Sequence, residues 1–242
     1  MKNYYITTPI YYVNDKPHIG HAYTTILADT LARFQRLVEQ ESFFLTGLDE
    51  HGLKVQQAAE KNGMSAKDHC DKMAPAFLEL WEKLNIQYSD FIRTTEDRHV
   101  KIVQNVLNEV HENGDIYQDE YEGWYSVAEE RFITDKELDS GLFREAKKIK
   151  ERNYFFKMSK YQDALIEKIE KNENFIQPTT RKNEVLGFLK QDLSDLCISR
   201  PKSRLEWGIE IPFDKDYVTY VWFDALINYI SAPKYSEDDN HF

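Results

Sequence analysis

Apolar and polar positions recur with two different periods along the first 115 residues. The stretch "NYYITTPIYY" (residues 3–12) is β-branched and aromatic, which predicts a strand. From Ile19 to Gln40 the period lengthens: Leu27, Leu31, Phe34 and Val38 are spaced four, three and four apart, which predicts a helix. "SFFLTG" (Ser42 to Gly47) is a short unbroken apolar run, as expected of a buried parallel strand. A helix follows from about Leu53 to Lys61, closed by Asn62-Gly63. Ser65 and Asp68 form a capping box for the next helix, which carries Met73, Phe77, Trp81 and Leu84 on one face. Pro75 lies inside that helix and is expected to kink it. "YSDFIRTT" predicts a third strand. Thr95 reads as the cap of a further helix with Val100, Val103, Leu107 and Val110 on its buried face and Gly114 at its end. The order βαβαβα predicts the first half of a doubly wound parallel sheet.

Beyond Ile116 the pattern changes to strands, turns and charged helices, as in "GWYSVAEERFIT", "NYFFKMSKYQDALIEKIEKN" and "RKNEVLGFLKQ". Sheet texture resumes in "DYVTYVWFDALINYIS", read as an alternating strand over Tyr217 to Phe223 that runs into a helix. The predicted organisation is therefore a first half-sheet at 1–115, an inserted domain at 116–213 and the start of a second half-sheet at 214–242. A doubly wound fold is not expected to stop there, so a longer protein is expected.

Composition narrows the function classes. The chain has 242 residues, 41% of them hydrophobic and 30% charged, which suits a globular domain with a sizeable core. Its net charge of −11 argues against a non-specific nucleic-acid binder. Two local basic stretches, "RPKSR" (Arg200 to Arg204) and "REAKKIKERN" (Arg144 to Asn153), stay open either as RNA contacts or as solvated charge. No apolar run reaches the roughly 18 residues of a membrane span, and "MKNYYITTPI" lacks the apolar core of a signal peptide. Cys70 and Cys197 are isolated, which fits a reducing compartment.

The candidate chemistry begins at "PHIGH" (Pro17 to His21). His18 and His21 fall at a strand's carboxyl end and a helix's amino end, where open α/β sheets bind ligands and free N–H groups favour anions. Imidazole N–H groups can donate to phosphate oxygens, and Gly20 leaves room for a flat base. Two histidines near a helix start also occur without any function. Read alone, Asp49 in "TGLDEHG" reads first as a loop aspartate capping the next helix, and Trp222 and Tyr229 read first as core residues.

Taken together, "TPIYYVNDKPHIGH", "TGLDEHG", "NYFFKMSKYQ", "RKNEVLGFL", "CISRPKSRLEWGI" and "YVWFDALINYIS" resemble the class I methionyl-tRNA synthetases, over the whole of residues 1–242. The resemblance implies an α/β Rossmann-type catalytic domain interrupted by a connective-peptide insertion. It implies a ligase that condenses L-methionine with ATP, releases pyrophosphate and passes the methionyl group to methionine tRNA for translation initiation and elongation, in the cytoplasm and without a membrane. It implies that His18 and His21 contact the ATP phosphates, that Gly20 packs near the adenine, and that Mg²⁺ accompanies the nucleotide. It implies that Asp49 binds the substrate ammonium, that Ile10 and Tyr12 form the floor of the methionine pocket, and that Trp222, Ala225 and Tyr229 form its wall.

Two departures qualify the resemblance. The family's mobile K-M-S-K-S loop follows the "VWFDAL" block, whereas "KMSK" (Lys157 to Lys160) precedes it and is followed by Tyr161. It is read as an insert segment in which Met158 and Tyr161 pack and Lys157 and Lys160 are solvated. The true loop is absent, so reduced adenylation is expected. Many relatives also open a zinc knuckle with C-x-x-C, but Ser126 and Glu129 stand at those places here, so the insert is expected to fold without structural zinc. The competing readings are another class I synthetase for a large aliphatic amino acid, and a binding module that keeps the fold without the chemistry.

Overall fold

The computed structural model describes residues 4–38, 40–126, 131–133, 135–142, 146–191 and 193–233. Two compact units emerge: Met1–Asn108 with Arg200–Phe242, and Glu109–Ser199. Among the described residues no helix is long and apolar enough to cross a membrane.

The first unit is built on parallel strands β1 (Tyr4–Thr7), β2 (Tyr11–Tyr12), β3 (Ser42–Asp49) and β4 (Asp90–Arg93). β3 is the central member and pairs in parallel with the other three. The stretch read as one strand is thus two, because Pro9 lies between them and cannot donate to a ladder. Three of the intervening and following helices come as expected: α1 (Ile19–Leu37), α2 (Leu53–Lys61) and α3 (Ala66–Lys83). Gly63, at φ +65°, follows the end of α2, and the Ser65 hydroxyl accepts from the Asp68 N–H at 3.1 Å to cap α3. α3 is assigned as a single helix through Pro75.

Strand alternation explains how both faces of β3 are covered. Phe44 packs with Ala28 and Ala32 of α1, and Leu48 with Phe77 and Trp81 of α3. Leu45, on the opposite face, packs with Ile92 and Ala232. The helix-predicting stripe of α1 is not the side that meets the sheet. Leu27, Leu31, Phe34 and Val38 are exposed, while Thr25, Ala28, Asp29 and Ala32 are buried. Small residues let the helix backbone come close to the strands, and Asp29 is accommodated because it accepts from Arg33 and from the Gln87 N–H.

α4 (Asp97–Glu112) buries His99, Val103 and Leu107. Thr95 does not cap it: its hydroxyl donates to Glu50, a buried carboxylate that also accepts from Arg93 at 2.7 Å. That demand outweighs capping, because an unpaired buried carboxylate is costly.

The second unit holds β5 (Ile116–Ser126), β6 (Arg131–Ile133), α5 (Asp135–Asp139), β7 (Ala146–Phe156), α6 (Gln162–Lys171), α7 (Thr179–Leu189) and β8 (Leu196–Cys197). Its sheet is antiparallel in the order β6-β5-β7-β8. The basic stretch before Tyr154 lies largely on β7, where Lys148 and Lys150 pair with Glu122 and Glu120 across the ladder. Arg144 and Glu129 fall outside the described residues.

The chain returns through β9 (Ser199–Pro201), β10 (Glu210–Ile211) and β11 (Asp214–Thr219) into α8 (Val221–Ser231). Val221–Phe223 are therefore helical, not the end of a strand. Aromatic and β-branched residues suit either state locally. The helix wins because it buries Val221, Asp224, Ala225 and Asn228 along one side. The "RPKSR" stretch is not an open basic patch either: Arg200 is buried with its guanidinium 4.5 Å from the Tyr220 ring centroid, and Lys202 pairs with Glu210.

Candidate active site

β2 ends at Tyr12 and α1 begins at Ile19, so the short connection between them delivers two imidazoles to a helix amino terminus. His18 is the N-cap, with extended backbone at φ −129° and ψ 176°. Its Nδ1 accepts from the Gly20 N–H at 3.1 Å, and the His21 Nδ1 accepts from the His18 N–H at 3.1 Å. This is a capping box made of two histidines in place of the usual hydroxyl and carboxylate. The rings stack with centroids 3.8 Å apart. A ring nitrogen that accepts carries no proton, so the hydrogen-bond pattern assigns the proton of each neutral ring to Nε2. Each Nε2–H then remains as a donor at a helix start whose N–H groups and dipole already favour an anion.

Gly20 has a local reason beyond room for a ligand. A Cβ there would come within 2.9 Å of the His18 Cε1 and 3.0 Å of its Nδ1. Any side chain would push the capping ring off the helix end. The pKa of His21 is lowered, first by burial and then by the charge of His18 beside it. Since the folded-state value lies below the ordinary 6.5, the cap stabilises the fold fully above that pH and fades as the pH falls below it. Nuclear magnetic resonance titration of the His21 ring should give a midpoint under 6.5; a midpoint at or above it would contradict the acceptor role of Nδ1.

Tyr11 ties this helix start to the sheet. Its hydroxyl bonds the Thr25 Oγ1 at 2.7 Å, and its ring centroid lies 4.6 Å from that of His21. Sequence reasoning chose its neighbour Tyr12 and passed over Tyr11. Period-2 alternation was the signal available, since neighbouring strand residues face opposite sides.

Asp49 is the last residue of β3, 6% exposed, and pairs in register with Tyr12 of β2. Alternation from Leu45 through Gly47 puts it on the sheet face that Leu45 shares with Ile10 and Tyr229. Burial pushes the Tyr229 hydroxyl up, and the Asp49 charge adds to that. Tyr5 donates to the Tyr229 carbonyl at 2.7 Å and fixes the last turn of α8. Ile10, Asp49 and Tyr229 are thus gathered in one place. Tyr12 flanks Asp49 in the sheet but packs against the cluster that holds Leu48, Phe77 and Trp81. Ala225 is buried in α8, whereas Trp222, in its first turn, is 57% exposed.

"KMSK" is a knot within the second unit. Lys157 donates to the Gly114 carbonyl at 2.7 Å, Lys160 pairs with Asp115 at 2.6 Å, and Tyr161 donates to the same carboxylate while stacking on Phe156. Both lysines are engaged by the protein itself rather than only solvated. Lys160, and then Tyr161, hold the Asp115 carboxyl below the ordinary carboxylate range.

Among the described residues no three His, Cys, Asp or Glu side chains come together as a metal cluster. Cys70 and Cys197 belong to different units, and burial, with the charge of Glu50, pushes the Cys70 thiol up to about 12. A thiol held protonated is a poor ligand.

Comparison with known proteins is consistent with this geometry. The family described as tRNA synthetases class I (M) matches residues 4–142 and 139–242. A methionine–tRNA ligase of Clostridium tetani is 52% identical over 98% of the chain, and one of Fusobacterium nucleatum is 49% identical over all of it. The chain spans 38% of the length of each. A Mycobacterium tuberculosis methionyl-tRNA synthetase in complex with methionyl-adenylate is similar over the whole chain, with a TM-score of 0.93 and 42% identity, and the chain covers 48% of it. The free-state structure of the M. tuberculosis protein gives a TM-score of 0.79.

Proposed function

The chain belongs to the class I tRNA synthetases (M), and from that membership we propose that it carries the methionine-activating site of a methionine–tRNA ligase. The proposed reaction condenses L-methionine with ATP to methionyl-adenylate and pyrophosphate, and then transfers the methionyl group to methionine tRNA in the cytoplasm. Residues 1–115 and 214–242 are assigned to the Rossmann-type catalytic domain and 116–213 to the connective insertion, although Arg200–Phe242 clusters with the first compact unit.

One observation carries this reading: two imidazoles, each with a free Nε2–H, stand at the amino end of α1, while Asp49 closes the neighbouring strand β3. His18 and His21 donate to the phosphate oxygens, and their hydrogen bonds matter most where charge builds on the α-phosphate as the methionine carboxylate attacks. Gly20 lets the adenine approach. Asp49 holds the α-ammonium and so aims the carboxylate. Ile10 and Tyr12 line the floor of the thioether pocket, and Trp222, Ala225 and Tyr229 its wall; soft sulfur packs well on aromatic rings. Mg²⁺ enters with the nucleotide, bound by phosphates and water, and neutralises their charge.

Calorimetric titration of the folded chain with methionine and, separately, with a non-hydrolysable ATP analogue tests the proposal. Saturable binding of each is expected, and a folded chain that takes up neither would refute it. The insert is proposed to need no zinc, so dialysis against a chelator should leave the melting temperature unchanged; a drop that zinc restores would overturn that part.

A further inference from the structure

Asp224 is fully buried in α8, and its two carboxylate oxygens face two buried histidines from elsewhere in the chain. Oδ2 lies 3.1 Å from the Nδ1 of His51, two residues beyond Asp49 in the loop after β3. Oδ1 lies 3.9 Å from the Nε2 of His99 in α4. The other nitrogen of His99 meets the Ser231 Oγ at 2.8 Å, and that hydroxyl donates to the Asn228 carbonyl at 3.3 Å. Asn228 in turn donates to the carbonyl of Ala225 at 2.6 Å. A polar stripe, Asp224–Asn228–Ser231, thus runs down the buried side of an otherwise apolar helix.

An apolar stripe would pack this helix at least as stably, since buried charges contribute little net stability. What a buried carboxylate set between two imidazoles adds is a single register, because sliding the helix would carry the carboxylate away from both rings. We propose that Asp224, His51 and His99 are positioning residues that lock α8 against the Asp49 loop and so set the shape of the methionine pocket. This rests on the reading above that Asp49, Ala225 and Tyr229 line that pocket. The linkage is short on both sides. His51 follows Asp49 by two residues, and its ring is also packed by Trp207, 5.4 Å away between centroids. Trp207 donates its indole N–H to the Glu50 carbonyl, so the peptide between Asp49 and His51 is held from outside as well. Asp224 precedes Ala225 directly, and Tyr229 follows one turn on.

Electrostatics agrees with an ionised clamp. Burial raises the Asp224 carboxyl, but the histidines beside it, His51 first and then His99, overcome that, and the net direction is down.

The test is Asp224→Asn, which keeps shape and removes charge, with Ser231→Ala as a milder second variant that releases His99 and the Asn228 carbonyl while leaving Asp224 in place. Methionine and ATP-analogue affinities are measured on each folded protein. The expected result is methionine binding weakened about tenfold or more in Asp224→Asn, as for a misplacement of an ångström or less. A smaller loss in the same direction is expected for Ser231→Ala, and nucleotide affinity should hold in both. A changed ¹⁵N shift of the His51 Nδ1 in Asp224→Asn should accompany the loss. Lower melting temperature with unchanged methionine affinity would overturn the clamp and leave the proposed function intact. If Asp224→Asn does not fold, Ser231→Ala decides alone: unchanged methionine affinity there overturns the proposal. Failure of the unaltered chain to bind methionine would instead remove the functional reading on which the clamp depends.

Discussion

Replacing Asp49 with Ala should weaken methionine binding by about 10- to 150-fold, the equivalent of a charge-assisted hydrogen bond of about 1.5–3 kcal/mol. The geometry makes the effect specific. Asp49 ends β3, is nearly buried, and faces the side of the sheet where Ile10 and Tyr229 pack. The melting temperature of the ligand-free Asp49→Ala chain is measured alongside, which separates a binding defect from unfolding. A methionine analogue without its amino group supplies the sharper control. Its affinity should respond little to the substitution, because the contact being removed is one it never makes. Equal losses for methionine and for the analogue would show that Asp49 supports the pocket's shape instead of gripping the ammonium.

Gly47→Ala is expected to be the most damaging single methyl group in the sheet. Gly47 pairs with Ile92, and a Cβ there would lie 2.1 Å from the Ile92 carbonyl oxygen and 2.6 Å from its Cγ2. The nearest obstacle is backbone, so no side-chain rotation relieves it. Strands β3 and β4 must part, at a cost of about 3 kcal/mol or more. For a chain of this size that lowers the melting temperature by about 6–12 °C. Because Asp49 is two residues on in the same strand, methionine affinity should fall as well. Gly63→Ala is the control. Gly63 has a positive φ but open space around it, so only the left-handed backbone is penalised, at about 1–2 kcal/mol. Thermal melts that rank the two variants the other way would show that β3 and β4 yield more easily than their register implies.

The elements that could be read early are those whose cause is local. Ser65 and Asp68 cap α3 through a hydrogen bond that spans three residues, and Gly63 closes α2 through its own backbone preference. The continuous apolar run at 42–47 is what a strand covered on both faces requires, and β3 is that strand. The misread positions share a different cause. Thr95 has the look of a cap, but a carboxylate more than forty residues away claims its hydroxyl. Tyr217 to Phe223 alternates well enough for a strand, yet its second half is helical because of what that helix buries.

The candidate site divides the same way. The position of His18 and His21 at a strand-to-helix junction followed from the period change on either side of them. Their use of Nδ1 as caps, and hence the donor left at Nε2, depends on ring orientations that no motif encodes. His51 and His99 gave no periodic signal, and Asp224 showed only as a charge within an apolar block.

The amino-acid sequence on its own determined the alternation of strands and helices over the first 115 residues, the parallel character of the first sheet, and which residue types arrive at its carboxyl edge, since these follow from periodicity and from bonds a few residues long. Tertiary structure alone decided which side of α1 meets the sheet, that Lys160 serves Asp115, and that Asp224 finds two imidazoles. Those outcomes depend on the distance between backbones and on which distant polar group is buried beside which, and neither is written in the spacing of residues along one segment.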